Sequence, residues 1–169
     1  MTDNITPSSY LLNEFFRAIE TDDLKYGEYL IQGGLDLNIE EEIRIYDNEI
    51  IEKGNIISYS IFFQKIEFLK LIKKYRGDLQ YELLLYSEYS DKKFISTPLK
   101  RALLTANLLI IDFLIKDGSS VEEDYLNNSH PLYIAFAYGN FNVIKYLINN
   151  NAVIRNADYI YNMMKYNEK

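Results

Sequence analysis

The chain has 169 residues, 48% apolar and 25% charged, so it is long and apolar enough to bury a continuous core, and global disorder is not expected. It contains no cysteine and one histidine, which excludes structural disulfides, thiolate metal sites and a histidine cluster for zinc or copper. The formal charge of -7 makes a phosphate backbone an unfavourable partner and a basic protein a favourable one.

Met1 to Tyr10 has no basic stretch followed by an apolar core, and no apolar run approaches the roughly 20 residues of a spanning helix. A chain without membrane contact, in a reducing compartment such as the cytoplasm, is therefore expected. The first apolar series follows, counted from Asn13: Phe15, Ala18-Ile19, Leu30-Ile31, Gly34 and Leu37. The Gly33-Gly34 pair lacks the spacing of a phosphate-binding loop and reads as a helix terminus.

Residues 38–54 form a long connection. Ile43-Arg44-Ile45-Tyr46 and Glu49-Ile50-Ile51 around Asp47-Asn48 read as two short strands and a tight turn, an extended β-finger. Between residues 36 and 53, Asp36, Glu40, Glu41, Glu42, Asp47, Glu49 and Glu52 stand against Arg44 and Lys53, a local charge of -5. Such a loop serves solubility or attracts a basic partner, with Tyr46 as its anchor.

Asn55 opens a second series: Ile57, Ser60, Ile61, Phe68-Leu69, Ile72, Gly77 and Leu79. It stands as far from Asn13 as Thr97, where the third series starts, stands from Asn55. Within the second series, Lys65, Lys70, Lys73, Lys74 and Arg76 against Glu67 give residues 65–76 a charge of +4, expected on an exposed helix face or against internal carboxylates. Residues 80–96 form another long connection, apolar enough to pack, and read as a second finger or an extra helix. Its Tyr86, Tyr89 and Phe94 are further candidates for partner contact.

The last two series are the clearest. Thr97-Pro98-Leu99 and, at the shorter spacing of an ordinary helical repeat, His130-Pro131-Leu132 are each followed by an alanine, Ala102 and Ala135. Apolar pairs at matching offsets come next, Ile110-Ile111 with Leu114-Ile115, and Val143-Ile144 with Leu147-Ile148. Each series ends with Gly118 or Asn151, then Val121 or Ile154. Leu99, Ala102 and Leu103 share one helical face, as do Ile110, Ile111, Leu114 and Ile115, so each unit has an apolar stripe that needs neighbours to bury it. Pro98 and Pro131 suit the first helical position. Gly34, Gly77 and Gly118, with Asn151, suit positive φ after the second helix. Met163-Met164 read as part of a terminal helix closing the stack.

This pattern resembles the ankyrin repeat, whose Thr-Pro-Leu-His-x-Ala helix start and Gly-Ala-Asp-Val-like exit the third and fourth copies follow best. The first two copies lack Thr-Pro, and none has His after the Leu. The resemblance implies a mainly α solenoid of stacked helix-turn-helix units with two extended loops or β-fingers. It would be one domain over residues 1–169, with repeats at 11–37, 53–79, 95–121 and 128–154 and a cap at 155–169.

No enzyme is expected. His130 sits where a helix cap or an exposed residue belongs, no serine has a nucleophile-elbow context, and no cofactor or metal site is readable. The expectation is a protein-binding module, monomeric or weakly oligomeric, without nucleic-acid contact. It would be an acidic inhibitor or immunity-type protein for a basic partner, with Glu40, Glu41, Glu42, Tyr46, Asp47, Glu49, Tyr86, Tyr89 and Phe94 as contact residues. The alternatives are a microbial or viral effector aimed at host signalling, delivered to the host cell, and a structural self-assembly module.

Overall fold

A computed structural model of the chain describes residues 7–39, 41–44, 51–81, 83–86, 93–122 and 130–154. The architecture is mainly helical. In chain order the elements are α1 (Pro7–Thr21), α2 (Leu24–Gln32), β1 (Glu41–Arg44), β2 (Ile51–Gly54), α3 (Ile56–Phe62), α4 (Ile66–Lys74), β3 (Leu83–Tyr86), β4 (Lys93–Ser96), α5 (Pro98–Thr105), α6 (Leu108–Lys116), α7 (Pro131–Ala137) and α8 (Phe141–Asn149).

Local chemistry sets where these helices start. The Thr97 side chain accepts from the Lys100 amide at 3.3 Å, with Pro98 in the first turn, where its missing N–H is not needed. Asn55 caps α3 by accepting from the Ile57 and Ser58 amides, while Ser58 Oγ accepts from the Asn55 amide, closing a capping box. His130 caps α7 through Nδ1, which accepts from the Leu132 amide at 3.2 Å, and it is buried.

The helices come in consecutive pairs, α1 with α2, α3 with α4, α5 with α6 and α7 with α8, and every pair turns in the same way. Between first and second helix, Asp22, Gln64, Ala106 and Gly139 hold φ of 60, 57, 55 and 62°. After the second helix, Gly34, Arg76, Gly118 and Asn151 hold φ of 98, 66, 114 and 69°. In that second turn the amides of Leu35, Gly77, Ser119 and Ala152 reach back to the carbonyls of Leu30, Ile72, Leu114 and Leu147 at 2.9–3.2 Å, capping the last carbonyls. Both sets of turns repeat at one constant interval across the first three units and at a shorter one between the third and fourth.

Gly77 departs from the role its type suggests. The positive φ belongs to Arg76, and Gly77 is needed for room: a Cβ there would overlap the Ile72 Cγ2 methyl and lie 3.2 Å from the Ile72 carbonyl oxygen.

One contiguous core runs through the pairs, built on Phe15 and Ile19 of α1, Ile57 and Ile61 of α3, Phe68 and Ile72 of α4, Leu99, Leu114, Leu132 and Leu147. The first helices pack side by side, α1 on α3, α3 on α5 and α5 on α7, with the small Ala18, Ser60, Ala102 and Ala135 all buried. Long polar side chains also join the second helices. Tyr75 and Lys74 reach Glu28, Lys73 reaches Asp117, and Tyr146 reaches Asp112.

Two antiparallel strand pairs occupy the long connections. Glu41, Glu42, Ile43 and Arg44 face Gly54, Lys53, Glu52 and Ile51. Leu83, Leu84, Leu85 and Tyr86 face Ser96, Ile95, Phe94 and Lys93. β2 runs beside β3, yet the two ladders remain separate. The third connection, from Val121 to His130, is shorter than the two that carry strands, and this accounts for the shortened last interval.

Candidate functional site

The two strand pairs sit at one end of the helix pairs. Chain direction requires this: β2 leads into α3 and β4 into α5, whereas the turns from first to second helix lie at the far end of those helices. Of the residues singled out for partner contact, Glu41 and Glu42 open β1 opposite Gly54 and Lys53. Tyr86 ends β3 opposite Lys93, and Phe94 lies in β4 opposite Leu85. The topology therefore brings Glu41 and Glu42 to one ladder and Tyr86 and Phe94 to the other. Glu40, Tyr46, Asp47, Glu49 and Tyr89 lie outside the described residues, as do the terminal segment 155–169 and its Met163-Met164 pair.

Four of the five cations of residues 65–76 meet a carboxylate. Lys65 meets Asp22 at 3.0 Å, Lys70 meets Glu67 at 2.6 Å, Lys74 meets Glu28 at 2.6 Å, and Lys73 meets Asp117. Three of these four bridges join the second unit to a neighbour. Helix period alone shows that the lysines face outward; it cannot show which distant carboxylates meet them.

Tyrosine has a structural use that composition did not reveal. The hydroxyls of Tyr26, Tyr59, Tyr75 and Tyr146 donate to Glu14, Glu20, Glu28 and Asp112 respectively, each from one helix to another or across its cap. Ser58 Oγ and the Tyr81 hydroxyl share a 2.5 Å hydrogen bond that ties the exit of the second unit to the start of α3. These contacts move proton affinities in consistent directions. The Tyr26 hydroxyl is held above its ordinary value by its bond to Glu14, and Tyr146 by burial and then by Asp112. The Asp112 carboxylate is held below its ordinary value by Lys116 and then by Tyr146, and Glu28 by Lys74 and then by Tyr75.

His130 is buried at the start of α7. Its Nδ1 is engaged as a cap and its Nε2 lies 3.5 Å from Glu122 Oε1, which also accepts from the Val153 amide at 2.6 Å. Among the described residues no group of three or more acidic, histidine or cysteine side chains comes together as a metal site, and no helix is long and apolar enough to cross a membrane.

One surface feature was missed in the sequence. Large apolar side chains stand exposed at the turn end of the pairs, including Phe62 and Leu104 at the same position of α3 and α5. Their signal was present, an apolar residue directly after the buried Ile61 and Leu103 in two consecutive copies. No protein-family model matches the chain, and no curated protein matches it.

Proposed function

We propose that this chain is an ankyrin-repeat protein of non-enzymatic function, an acidic inhibitor that holds a basic protein partner in the manner of an immunity protein. The repeat assignment is supported by two left-handed turns that recur in all four helix pairs, at positions 22, 64, 106 and 139 and at positions 34, 76, 118 and 151. The observation that carries the functional reading is the internal pairing of the lysines of α4 and of Lys65, which precedes it. With Lys65, Lys70, Lys73 and Lys74 each beside a carboxylate, four of the five cations of residues 65–76 are paired, while the overall charge remains -7. The field seen by an approaching molecule is therefore negative, which speeds and orients the encounter with a basic surface. The acidic connection containing Glu41 and Glu42, set beside the second ladder with Tyr86 and Phe94, is the proposed contact region.

The test is capture of basic proteins by the intact chain and by a variant whose two long connections are cut to the length of the third. One basic protein retained by the intact chain, released by salt and lost from the folded variant, is the expected result, followed by inhibition of that protein's activity. Equal retention by both forms would remove the strand pairs from the contact, and retention of no basic protein would overturn the function.

A further inference from the structure

β1 is the first strand of the series. One of its sides carries the ladder to β2, and β2 in turn runs beside β3. Among the described residues no strand pairs with the other side of β1. In an antiparallel pair the N–H and C=O groups of alternate residues face the partner strand, so the remaining groups of Glu41–Arg44 form an open edge. A ladder of two strands this short is marginal by itself, and a third strand adds hydrogen bonds and support to it.

Charge separates this edge from the others. The first connection, residues 36–53, sums to -5 with Arg44 and Lys53 counted. Within its ladder the register sets Lys53 opposite Glu42, Glu52 opposite Ile43 and Ile51 opposite Arg44, while Glu41 stands opposite Gly54. The second connection, residues 80–96, sums to -1, with Glu82, Glu88 and Asp91 against Lys92 and Lys93. Its outer strand β4 is likewise unpaired on one side among the described residues, but it carries Lys93 and no carboxylate. The third connection is acidic through Glu122, Glu123 and Asp124, and no strand is described in it.

We propose that β1 takes an extended, lysine- or arginine-rich segment of the partner protein as a third strand of its sheet. The inference rests on the protein-binding reading above and specifies how the basic partner is held. Main-chain hydrogen bonds along β1 set the register, and the carboxylates of the first connection select the charge. Edge strands are ordinarily guarded by charged residues against pairing with other chains. Here the guard is acidic. It repels a second copy, whose own first connection also sums to -5, and admits a basic segment.

The experiment titrates the full chain with a synthetic peptide of about eight residues, alternating lysine and threonine, and reads backbone amide exchange by nuclear magnetic resonance. The native chain is expected to bind it, with alternate amides of residues 41–44 exchanging about tenfold more slowly. The same peptide N-methylated at two adjacent central residues keeps its charge but cannot pair along either side, and should bind about tenfold more weakly. Glutamates in place of the lysines should weaken binding about tenfold, and Glu41→Gln combined with Glu42→Gln in the chain about threefold. Circular dichroism checks that the double variant keeps the fold.

No binding by the native chain, equal binding of the N-methylated peptide, or slowed exchange at β4 or in the helices in place of β1 overturns the proposal. So does a native dimer in sedimentation that dissolves when the peptide edge is masked by the double variant, since that places a second copy on β1. Failure here is separable from failure of the function. A captured basic protein that needs the long connections but leaves exchange in residues 41–44 unchanged removes strand addition alone, whereas capture of no basic protein removes the function itself.

Discussion

Arg76 carries the left-handed backbone that ends α4, at φ 66°, and Gly77 beside it supplies the space into which Ile72 packs. A side chain in the left-handed region costs about 1–2 kcal/mol, while a Cβ at position 77 meets both a methyl and a backbone carbonyl of Ile72. Arg76→Gly should therefore stabilise the chain by about 0.5–1 kcal/mol, part of the relief being offset by the entropy of glycine. Gly77→Ala should destabilise it by about 1–3 kcal/mol. Urea denaturation of the two variants checks the assignment, and the opposite signs would refute it.

A second close approach lies between the first two units. The Phe68 ring meets Phe15 edge to face at 5.7 Å, and a Cβ on Gly27 would lie 2.8 Å from Phe68 Cε1. Gly27→Ala should cost about 1–3 kcal/mol and Phe68→Ala about 3–5 kcal/mol. The double variant should cost less than the sum, because removing the ring frees the space the methyl needs. Additive losses in a double-mutant cycle would show that the two positions do not meet.

The cap of α5 rests on one hydroxyl. Thr97→Ala removes the acceptor for the Lys100 amide and should lower stability by about 1 kcal/mol, while Thr97→Ser should lose little. Thermal unfolding of the pair separates loss of the cap from loss of the methyl group.

Acid should weaken the join between the second helices. The carboxylates of Glu28 and Asp112 have lowered proton affinities, by Lys74 and Tyr75 in one case and by Lys116 and Tyr146 in the other. A group with a lowered folded pKa contributes stability that is complete above its unfolded value, roughly 4 for a carboxylate, and is lost as pH falls through the lowered folded value. Unfolding midpoints should therefore drop below about pH 4, and the drop should be shallower in Asp112→Asn. Both groups are partly exposed, so raised salt should flatten the dependence. An unchanged slope in Asp112→Asn would assign the acid sensitivity elsewhere.

What the sequence determines by itself is the local and periodic part. The caps before α5 and α7 and the prolines that open them, the buried stripe of Leu99, Ala102 and Leu103, and the even spacing of the units with its one shortening are set by neighbours within a turn or by helix period, so they are readable in one dimension. Glu41, Glu42, Tyr86 and Phe94 could be nominated by composition and connection length, but only the strand register assigns the two glutamates to one ladder and the two aromatics to the next. The tertiary structure decides the rest. Whether Arg76 or Gly77 takes the left-handed turn depends on Ile72 packing, and whether the lysines of α4 are offered to a ligand depends on Asp22, Glu28 and Asp117 from other units. Leu103 is buried and Leu104 exposed because the next helix covers one side of α5 and nothing among the described residues covers the other. Those outcomes depend on residues a whole repeat apart in the chain meeting in space, and repeat spacing shows that such positions align without showing which side chains meet.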